Sequence, residues 1–311
     1  MLPGKLEREA GVSLTQIKDP DARIPMKSFV KLWQIAIDLT GDPALALHLR
    51  EKVGLQYVHF VVALAQHSSN LLEAAFHFSR YGKLISATDK FDVSDEGGFI
   101  KIVYTNVLPD YQSRWIAEHH FSLTLDLCRS LTKSDFNPVN VHFQHMDPGY
   151  VDEYEKVFRA PVLFQQPENM IIYQKSHFLK PIISRDPNLR TALKNYAETS
   201  LKEQNEAESL QGKVRKYIVA HLSDGGLNLA NTAQAMNMAS STLYRQLKKE
   251  DATFQKLLLK TRQELAKSYL LQNLTSSQIT YLLGFSEPAA FQHSFKRWFG
   301  ISPGEYRKDT A

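Results

Sequence analysis

The chain has 311 residues, enough for two domains of ordinary size, and its 43% hydrophobic and 23% charged content is typical of a soluble globular protein. No apolar run reaches the roughly 18 residues of a membrane-spanning helix, and the first residues lack the apolar core of a signal peptide. The single cysteine, Cys128, excludes an internal disulfide and a cysteine-rich metal site, and its leucine-rich surroundings predict a buried thiol. A cytoplasmic protein with no membrane partner is therefore expected.

The net formal charge of +4 is distributed unevenly along the chain. Residues 1–205 contain 23 Lys and Arg against 24 Asp and Glu, a balance of −1. Residues 206–311 contain 14 against 9, a balance of +5. The basic excess lies in the C-terminal third, where a polyanion such as DNA would be attracted.

Residues 1–185 predict one α+β domain, because their periodicity changes near Phe91. Helical spacing of apolar residues marks 29–39, 42–53, 57–68, 71–85, about 114–131 and 150–158. The segment FDVSDEGGFIKIVYTNV (91–107) predicts a hairpin that turns at Asp95, Glu96, Gly97 and Gly98. PVLFQ (161–165) and NMIIYQ (169–174) are further strand candidates.

Histidines are frequent in this domain, and Glu118-His119-His120 raises the question of a metal site. Adjacent residues on a helix point about 100° apart, and this helix has no pair of histidines at i and i+4. Surface or hydrogen-bonded histidines are therefore expected, with no metal and no cofactor. Four residues are candidates either for a ligand pocket or for a salt-bridged shell: His59, Arg80, Tyr81 and Arg114.

Residues 186–207 predict a helix with a narrow apolar stripe and a polar tail that serves as an interdomain linker. The stripe consists of Leu189, Leu193, Tyr196, Ala197 and Leu201. It fits pairing with the same helix of a second copy, in a homodimer, and it equally fits packing against the chain's own first domain.

Residues 213–249 predict a first helix-turn-helix. VRKYIVAHL (214–222) is followed by the turn SDGG (223–226), by LANTAQAM (229–236), by a turn at 237–239 and by SSTLYRQLKKE (240–250). Leu243 and Leu247 face inward in the last helix, and Ser240 or Ser241 is expected to cap it. The outward face carries Ser241, Tyr244, Arg245 and Lys248.

Residues 275–308 predict a second copy of the same unit. Its first helix ends at Gly284, and its second begins after an N-cap at Ser286, with Pro288 in the first turn. Phe291 and Phe295 face inward. The outward face carries Ala289, Gln292, His293 and Lys296, which are Ser241, Tyr244, Arg245 and Lys248 shifted by 48 positions.

A helix over 254–274 joins the two copies. About 20 residues at roughly 1.5 Å each span about 30 Å, close to the roughly 34 Å between successive major-groove faces on one side of DNA. One chain can therefore place two recognition helices in adjacent grooves. The fold class predicted is multidomain, with an α+β first domain and an all-α C-terminal domain.

The segment GFSEPAAFQHSFKRWFGISPGEYR (284–307) resembles the second helix-turn-helix of the AraC family of transcription regulators. The matching positions are Gly284, Phe285, Ser286, Phe291, Phe295, Lys296, Gly300, Ser302, Pro303, Tyr306 and Arg307. Residues 18–49 and 151–182 resemble the effector-binding domain that precedes this module in one branch of the family. Asn237 and Ala239 depart from the Gly and Ser usual in the first motif.

The resemblance implies an effector-binding domain at 1–185, a linker helix at 186–207 and a DNA-binding domain at 208–311. It implies a transcription activator that binds promoter DNA and RNA polymerase under the control of a small molecule, with a repressor or dual regulator as the alternative. Arg245 is then expected to contact guanine and Gln292 adenine, while Tyr244, His293 and Lys296 contact bases or phosphates. Ser241, Lys248, Pro288 and Ala289 complete the predicted interface.

A partner-binding protein whose module no longer binds DNA is one alternative, and the presence of Arg245, Lys248, Gln292 and Lys296 argues against it. An enzyme is another, because Gly300-Ile301-Ser302-Pro303-Gly304 fits the nucleophile motif G-x-S-x-G of hydrolases. That motif needs a strand before Ser302 and a helix after it, whereas an aromatic-faced helix precedes it here. DNA-alkyl-repair proteins that share the module use several zinc-bound cysteines, and one cysteine excludes that chemistry. No catalytic residue is therefore predicted.

Overall fold

The computed structural model describes residues 2–19, 22–49, 59–111, 113–183 and 185–310. The predicted helical segments 42–53 and 57–68 extend partly outside the described residues. The chain forms two compact units, Met1–Leu201 and Lys202–Ala311.

The first unit combines helices with a five-stranded sheet, as the α+β prediction requires. Its helices are α1 (Leu2–Ala10), α2 (Leu14–Lys18), α3 (Met26–Thr40), α4 (Leu45–His48), α5 (Phe60–Gln66), α6 (Leu71–Tyr81), α7 (Arg114–Thr132), α8 (Val151–Phe158), α9 (Lys175–Phe178) and α10 (Pro187–Glu208), the last of which continues into the second unit. Its strands are β1 (Asp89–Glu96), β2 (Phe99–Asn106), β3 (Asn140–His142), β4 (Val162–Leu163) and β5 (Asn169–Gln174). Short 3-10 turns occupy Gly82–Leu84 and Pro109–Tyr111.

The sheet has the strand order β1-β2-β5-β3-β4. The predicted hairpin is confirmed as an antiparallel β1–β2 pair, but its turn is shorter than expected. Asp95 and Glu96 belong to β1, and only Gly97 and Gly98 turn, with φ of 57° and 89°. Positive φ at both central residues is the geometry of the two-residue hairpin turns that match strand twist.

One face of the sheet forms the core of this unit. The strand register aligns Val93, Ile102 and Ile171 in a row across β1, β2 and β5. Buried residues of α6 and α7, among them Leu71 and Phe121, belong to the same hydrophobic cluster. The predicted helix over about 114–131 is confirmed as α7, and Cys128 lies buried on it. Burial raises the pKa of its thiol to about 12, so the thiol stays protonated.

The apolar stripe of α10 packs partly against its own unit. Ala197 is fully buried, and Leu193 and Leu201 are half-buried against a cluster that includes Val61, Leu64, Tyr81 and Leu84. Leu189 and Tyr196 remain 41% and 59% exposed. The polar tail predicted as a linker is helical up to Glu208.

The second unit is all helical among its described residues. It contains α11 (Leu210–His221), a 3-10 turn (Leu222–Asp224), α12 (Leu229–Ala235), α13 (Ser240–Lys249), α14 (Phe254–Leu271), α15 (Ser276–Leu282), α16 (Pro288–Phe299) and α17 (Pro303–Thr310). One cluster of buried residues from α11 to α16 forms its core. The helices predicted for both helix-turn-helix motifs are all present.

The helix that joins the two motifs is shorter than predicted. The expected range was 254–274, whereas α14 ends at Leu271, followed by Gln272 as C-cap and Asn273 at φ 60°. An asparagine tolerates this left-handed conformation better than most residues. The 18 residues of α14 span about 27 Å at 1.5 Å per residue.

Candidate nucleic-acid interface

The first recognition helix, α13, is held by two side chains one turn apart. Leu243 and Leu247 are both 0% exposed and belong to the core of the second unit. The N-cap is Ala239, which makes no side-chain cap hydrogen bond. The expectation that Ser240 or Ser241 caps the helix was therefore wrong, because α13 begins at Ser240 and both serines lie inside its first turn.

The opposite face of α13 is open to solvent. The outward residues predicted from spacing are all exposed: Ser241, Tyr244, Arg245 and Lys248. Tyr244 is a large aromatic side chain that is 49% exposed. Lys248 and Lys249 add positive charge in the last turn. The face therefore combines donors, an aromatic ring and cations, which is the chemistry that contacts base edges and phosphates.

The second recognition helix, α16, repeats this construction with larger core residues. Phe291 and Phe295 are both 0% exposed, and their rings meet edge to face with centroids 5.8 Å apart. The predicted N-cap at Ser286 was wrong: Glu287 is the N-cap, and Pro288 is the first helical residue. Its fixed φ suits that position, where backbone N–H groups have no partner within the helix.

The outward residues of α16 predicted from spacing are also exposed, namely Ala289, Gln292, His293 and Lys296. Pro288, predicted to complete the interface, is exposed as well. They include an amide, an imidazole and an ammonium group. Arg297 adds a second cation beside Lys296 near the end of the helix. The two outward faces thus share their spacing but differ in chemistry.

The turns of the two motifs differ in length by one residue. In the first, Asn237 takes a left-handed conformation at φ 54°, and the helix starts three residues later at Ser240. In the second, Gly284 has φ 66°, and the helix starts four residues later at Pro288. Asn237 therefore performs the conformational role that glycine usually has in the first motif.

Gly284 is also required for close packing. A Cβ added to it would lie 2.1 Å from the carbonyl oxygen of Leu222. The side chain of Arg262, on α14, holds the same turn in two ways. Its Nε–H donates a hydrogen bond to the Leu283 carbonyl at 3.0 Å. Its guanidinium group lies over the ring of Phe285, 4.9 Å from the ring centroid. The role of Arg262 cannot be predicted from the sequence, since nothing local indicates a contact 21 positions away.

Ser302 has a structural role. Its hydroxyl accepts from the Glu305 amide at 3.2 Å, and the Glu305 carboxylate accepts from the Ser302 amide at 2.7 Å. This reciprocal pair is a capping box at the start of α17. The segment before it is α16, closed by Gly300, so the strand that a hydrolase nucleophile turn needs is replaced by a helix.

The four ligand candidates of the first unit all bind other parts of the chain. His59 caps α5, accepting from the Val61 amide at 3.2 Å. Arg80 and Tyr81 both bind the Glu198 carboxylate of α10, with distances of 3.1 Å for each guanidinium contact and 2.6 Å for the phenol. Arg114 lies elsewhere, at the start of α7 beside a polar cavity.

Arg114 adjoins a buried carboxylate that the sequence analysis did not single out. Glu118 is 0% exposed, accepts from the Tyr154 hydroxyl at 2.6 Å and lies 3.7 Å from the guanidinium group of Arg114. Burial raises the pKa of Glu118 to about 7, because the low-dielectric surroundings disfavour the charged form.

Among the described residues, no group of three or more His, Cys, Asp or Glu side chains is arranged to hold a metal ion. His119 and His120 are ring neighbours with centroids 6.1 Å apart. Burial lowers the pKa of His119 to about 4, so it stays neutral. No helix in the described part of the chain combines the length and apolarity that a bilayer crossing demands.

An α+β domain followed by two helix-turn-helix units on one connecting helix defines a transcription regulator with a separate N-terminal ligand-binding domain. Two family profiles match the chain: the arabinose-binding domain of AraC transcription regulators over residues 1–182, and a helix-turn-helix domain over residues 232–309. The chain belongs to the AraC family of transcription regulators. Both resemblances seen in the sequence are thereby confirmed, and the family is one of regulators rather than enzymes.

The chain is similar to an ornithine utilization regulator of Pseudomonas aeruginosa, with 24% identity over 94% of this chain and 86% of that protein. It is also 32% identical to the transcriptional activator NphR of a Rhodococcus species, over 40% of this chain and 37% of that one. Among solved structures, the transcriptional regulator CdpR from Pseudomonas aeruginosa aligns over 98% of this chain and 97% of its own, with 20% identity and a TM-score of 0.47.

Proposed function

We propose that this chain binds promoter DNA through α13 and α16 and reads sequence with the exposed side chains of both helices. The observation that carries the proposal is their shared construction. Each helix has two fully buried residues one turn apart, Leu243 and Leu247 or Phe291 and Phe295, and an exposed polar set on the other side. A helix anchored on one face and polar on the other fits the major groove.

On α13, Arg245 is the principal base reader. Its guanidinium group has no hydrogen-bond or ion-pair partner among the described residues, so both of its donor edges are available for O6 and N7 of guanine. Tyr244 contacts a thymine methyl group or a phosphate. Ser241 lies in the first turn, where free backbone N–H groups favour a phosphate.

On α16, Gln292 pairs with an adenine edge, and His293 and Lys296 contact a base edge or a phosphate. The start of this helix is a weaker phosphate site than that of α13. Pro288 lacks an N–H group, and Glu287 places a carboxylate at the same end. Phosphate contacts from α16 therefore come mainly from its basic last turn.

The test is a binding comparison on a site selected by the wild-type protein from random DNA. Arg245→Ala should weaken binding to that site by about 5- to 150-fold, the equivalent of roughly 1–3 kcal/mol, with little change on random DNA. Gln246→Ala is the matched control, because Gln246 is exposed on the same helix but points about 100° away from Arg245. Equal losses on specific and random DNA would contradict base reading by Arg245.

We further propose that a small molecule bound in the first unit controls activation of transcription, and that the DNA-bound protein contacts RNA polymerase. The family profile for residues 1–182 supports a ligand-binding role for this unit. A ligand that binds one conformation better than another shifts the population toward it. Deleting the gene should lower transcription from the target promoter, whereas a repressor would give a rise.

The effector is identified by screening metabolites for thermal stabilisation of the full chain. A ligand at 100 times its Kd stabilises the folded state by about 2.7 kcal/mol. Ornithine belongs in the screen because one relative is named for its utilization. A compound that stabilises the chain and changes reporter transcription supports effector control. If no compound in a complete metabolite set does both, effector control is contradicted.

Homodimer formation through α10 is the last part of the proposal. Leu189 and Tyr196 leave apolar surface exposed on the same helix that packs Ala197 inward. Sedimentation of the wild type should give a dimer that Tyr196→Lys dissociates. A monomer at micromolar concentration would contradict this part alone.

A further inference from the structure

An apolar cavity lies in the core of the first unit, between α6, α7 and the sheet. Its volume is about 80 Å³. The row formed by Val93, Ile102 and Ile171 makes its floor, and Ala74 of α6 and Cys128 of α7 contribute to its sides. None of the described residues that line it is an Asp, Glu, Lys or Arg.

One polar group in this wall has no partner. Tyr173 lines the cavity and is 1% exposed, and its hydroxyl has no hydrogen-bond partner among the described residues. The other buried tyrosines of the described chain each donate to a carboxylate: Tyr81 to Glu198 at 2.6 Å, Tyr104 to Asp89 at 2.7 Å and Tyr154 to Glu118 at 2.6 Å. A buried hydroxyl without a partner loses its hydration with no compensation, so a phenylalanine would be favoured at 173 unless something binds there.

The cavity has an approach from the surface. Ala75 of α6 and Leu127 and Leu131 of α7 belong to its lining and are partly exposed, unlike Ile102 and Ile171 of the floor, which are buried. A ligand can therefore enter between α6 and α7 with modest side-chain movement and without unfolding of the sheet.

Size and polarity restrict the ligand class. An apolar cavity of about 150 Å³ accommodates benzene, so about 80 Å³ accommodates about three to five non-hydrogen atoms. An ion would lose its hydration among apolar walls without a counter-charge, which excludes charged compounds. A neutral aliphatic molecule with one oxygen atom fits both limits.

We propose that this cavity is the effector site of the first unit and that it binds a short-chain alcohol or ketone through a hydrogen bond with the Tyr173 hydroxyl. The inference rests on the effector control proposed above. Apolar contacts with the floor and sides provide most of the affinity, and the single hydrogen bond fixes the orientation of the oxygen atom.

The probes are 2-butanone and 1-butanol, with butylammonium as the charged comparison, and binding to the full chain is followed by ligand-observed NMR and thermal shift. The wild type should bind the two neutral probes and not the ion. Ala74→Leu, which fills the cavity, should lower affinity at least tenfold. Tyr173→Phe should weaken binding by about 2- to 10-fold, as expected for loss of one hydrogen bond.

Tyr154→Phe is the matched control, because Tyr154 is equally buried but its hydroxyl is already paired with Glu118. It should lower the stability of the ligand-free chain and leave probe affinity unchanged. Tyr173→Phe should leave the ligand-free chain as stable as the wild type or more stable, which also shows that the variant folds. Probe binding that is unchanged by both Ala74→Leu and Tyr173→Phe would overturn the site.

The transcription readout separates this inference from the proposed function. If the screened effector still controls the reporter in Ala74→Leu, effector control stands and the cavity is not its site. If probes bind in the cavity and the two variants weaken them as described, but no cavity ligand changes transcription, the binding site stands and its role in control is wrong. If Ala74→Leu loses both probe binding and the transcription response while its affinity for DNA is unchanged, the result supports effector control and the cavity as its site.

Discussion

Replacement of Gly284 by alanine tests the packing that fixes the second helix-turn-helix. Two effects contribute to the expected loss of stability. The first is conformational, because φ of 66° is a left-handed conformation that costs an L-residue roughly 1–2 kcal/mol. The second is steric, because the new Cβ would lie 2.1 Å from the Leu222 carbonyl oxygen, so one of the two backbones has to move.

A second glycine, which lacks the steric contact, allows the steric cost to be distinguished from the conformational cost. Gly300 ends α16 at φ 80°, and a Cβ added there has nothing within 4 Å. Gly300→Ala should therefore cost only the conformational part, about 1–2 kcal/mol. Gly284→Ala adds an overpacking cost of about 1–3 kcal/mol, which gives about 2–5 kcal/mol in total.

Hydrogen exchange of the full chain is the suitable assay, because a two-domain protein does not unfold in one two-state step. Local opening of α15 and α16 should become about 5- to 150-fold more frequent in Gly284→Ala than in Gly300→Ala. Affinity for the selected DNA site should fall in parallel. Equal protection in the two alanine variants would refute the close approach of this turn to Leu222.

Two further predictions concern the buried Glu118 and the capping residue Ser302. Since burial raises the pKa of Glu118 from 4.5 to about 7, the contribution of Glu118 to the free energy of unfolding should be fully present below pH 4.5 and should be lost, by about 3 kcal/mol, as pH rises through 7. Glu118→Gln should remove this part of the pH dependence in urea unfolding, and an unchanged profile would contradict it. Ser302→Ala should destabilise α17 by about 1 kcal/mol and leave ester hydrolysis at background, whereas a measurable hydrolytic rate in the wild type that the variant loses would contradict a purely structural role.

The recognition helices were predictable from the sequence because their determinants are local. Residues at i and i+4 lie on one face of a helix, so Leu243 and Leu247, and Phe291 and Phe295, mark the buried side without knowledge of the fold. The exposed side follows from the same periodicity. The repeat of 48 positions adds a second, independent indication, since two unrelated surface helices would not share the spacing.

The ends of elements were less predictable. Ser286 has the side chain of a good N-cap, yet α16 starts one residue later because Pro288 is favoured in the first helical position and Gly284 fixes the turn against Leu222. The sequence predicts too broad a hairpin turn, since the polar residues Asp95 and Glu96 belong to β1 in the structure. Local preference indicates a boundary only to within a residue or two.

Long-range partners were not predictable at all. The sequence leaves Arg80 and Tyr81 open between a ligand pocket and a salt-bridged shell, and the fold shows that they bind Glu198, which lies more than 100 residues away in the chain. Glu118 and Tyr154, 36 positions apart, are likewise joined only by the fold. A charged or polar residue has the same sequence signature whether it binds a ligand or another part of its own chain, so only the fold separates the two.

The difference between the two outward faces bears on the kind of DNA site that a single chain reads. Identical recognition helices would favour two equal half-sites, whereas Tyr244 and Arg245 on α13 correspond to Gln292 and His293 on α16. An arginine favours guanine and a glutamine favours adenine, so the two halves should differ in sequence. The extra residue in the second turn alters the connection into α16 as well. The target of one chain is therefore expected to be an asymmetric pair of unlike half-sites. A dimer would bind two such pairs, and each pair would still consist of unlike half-sites.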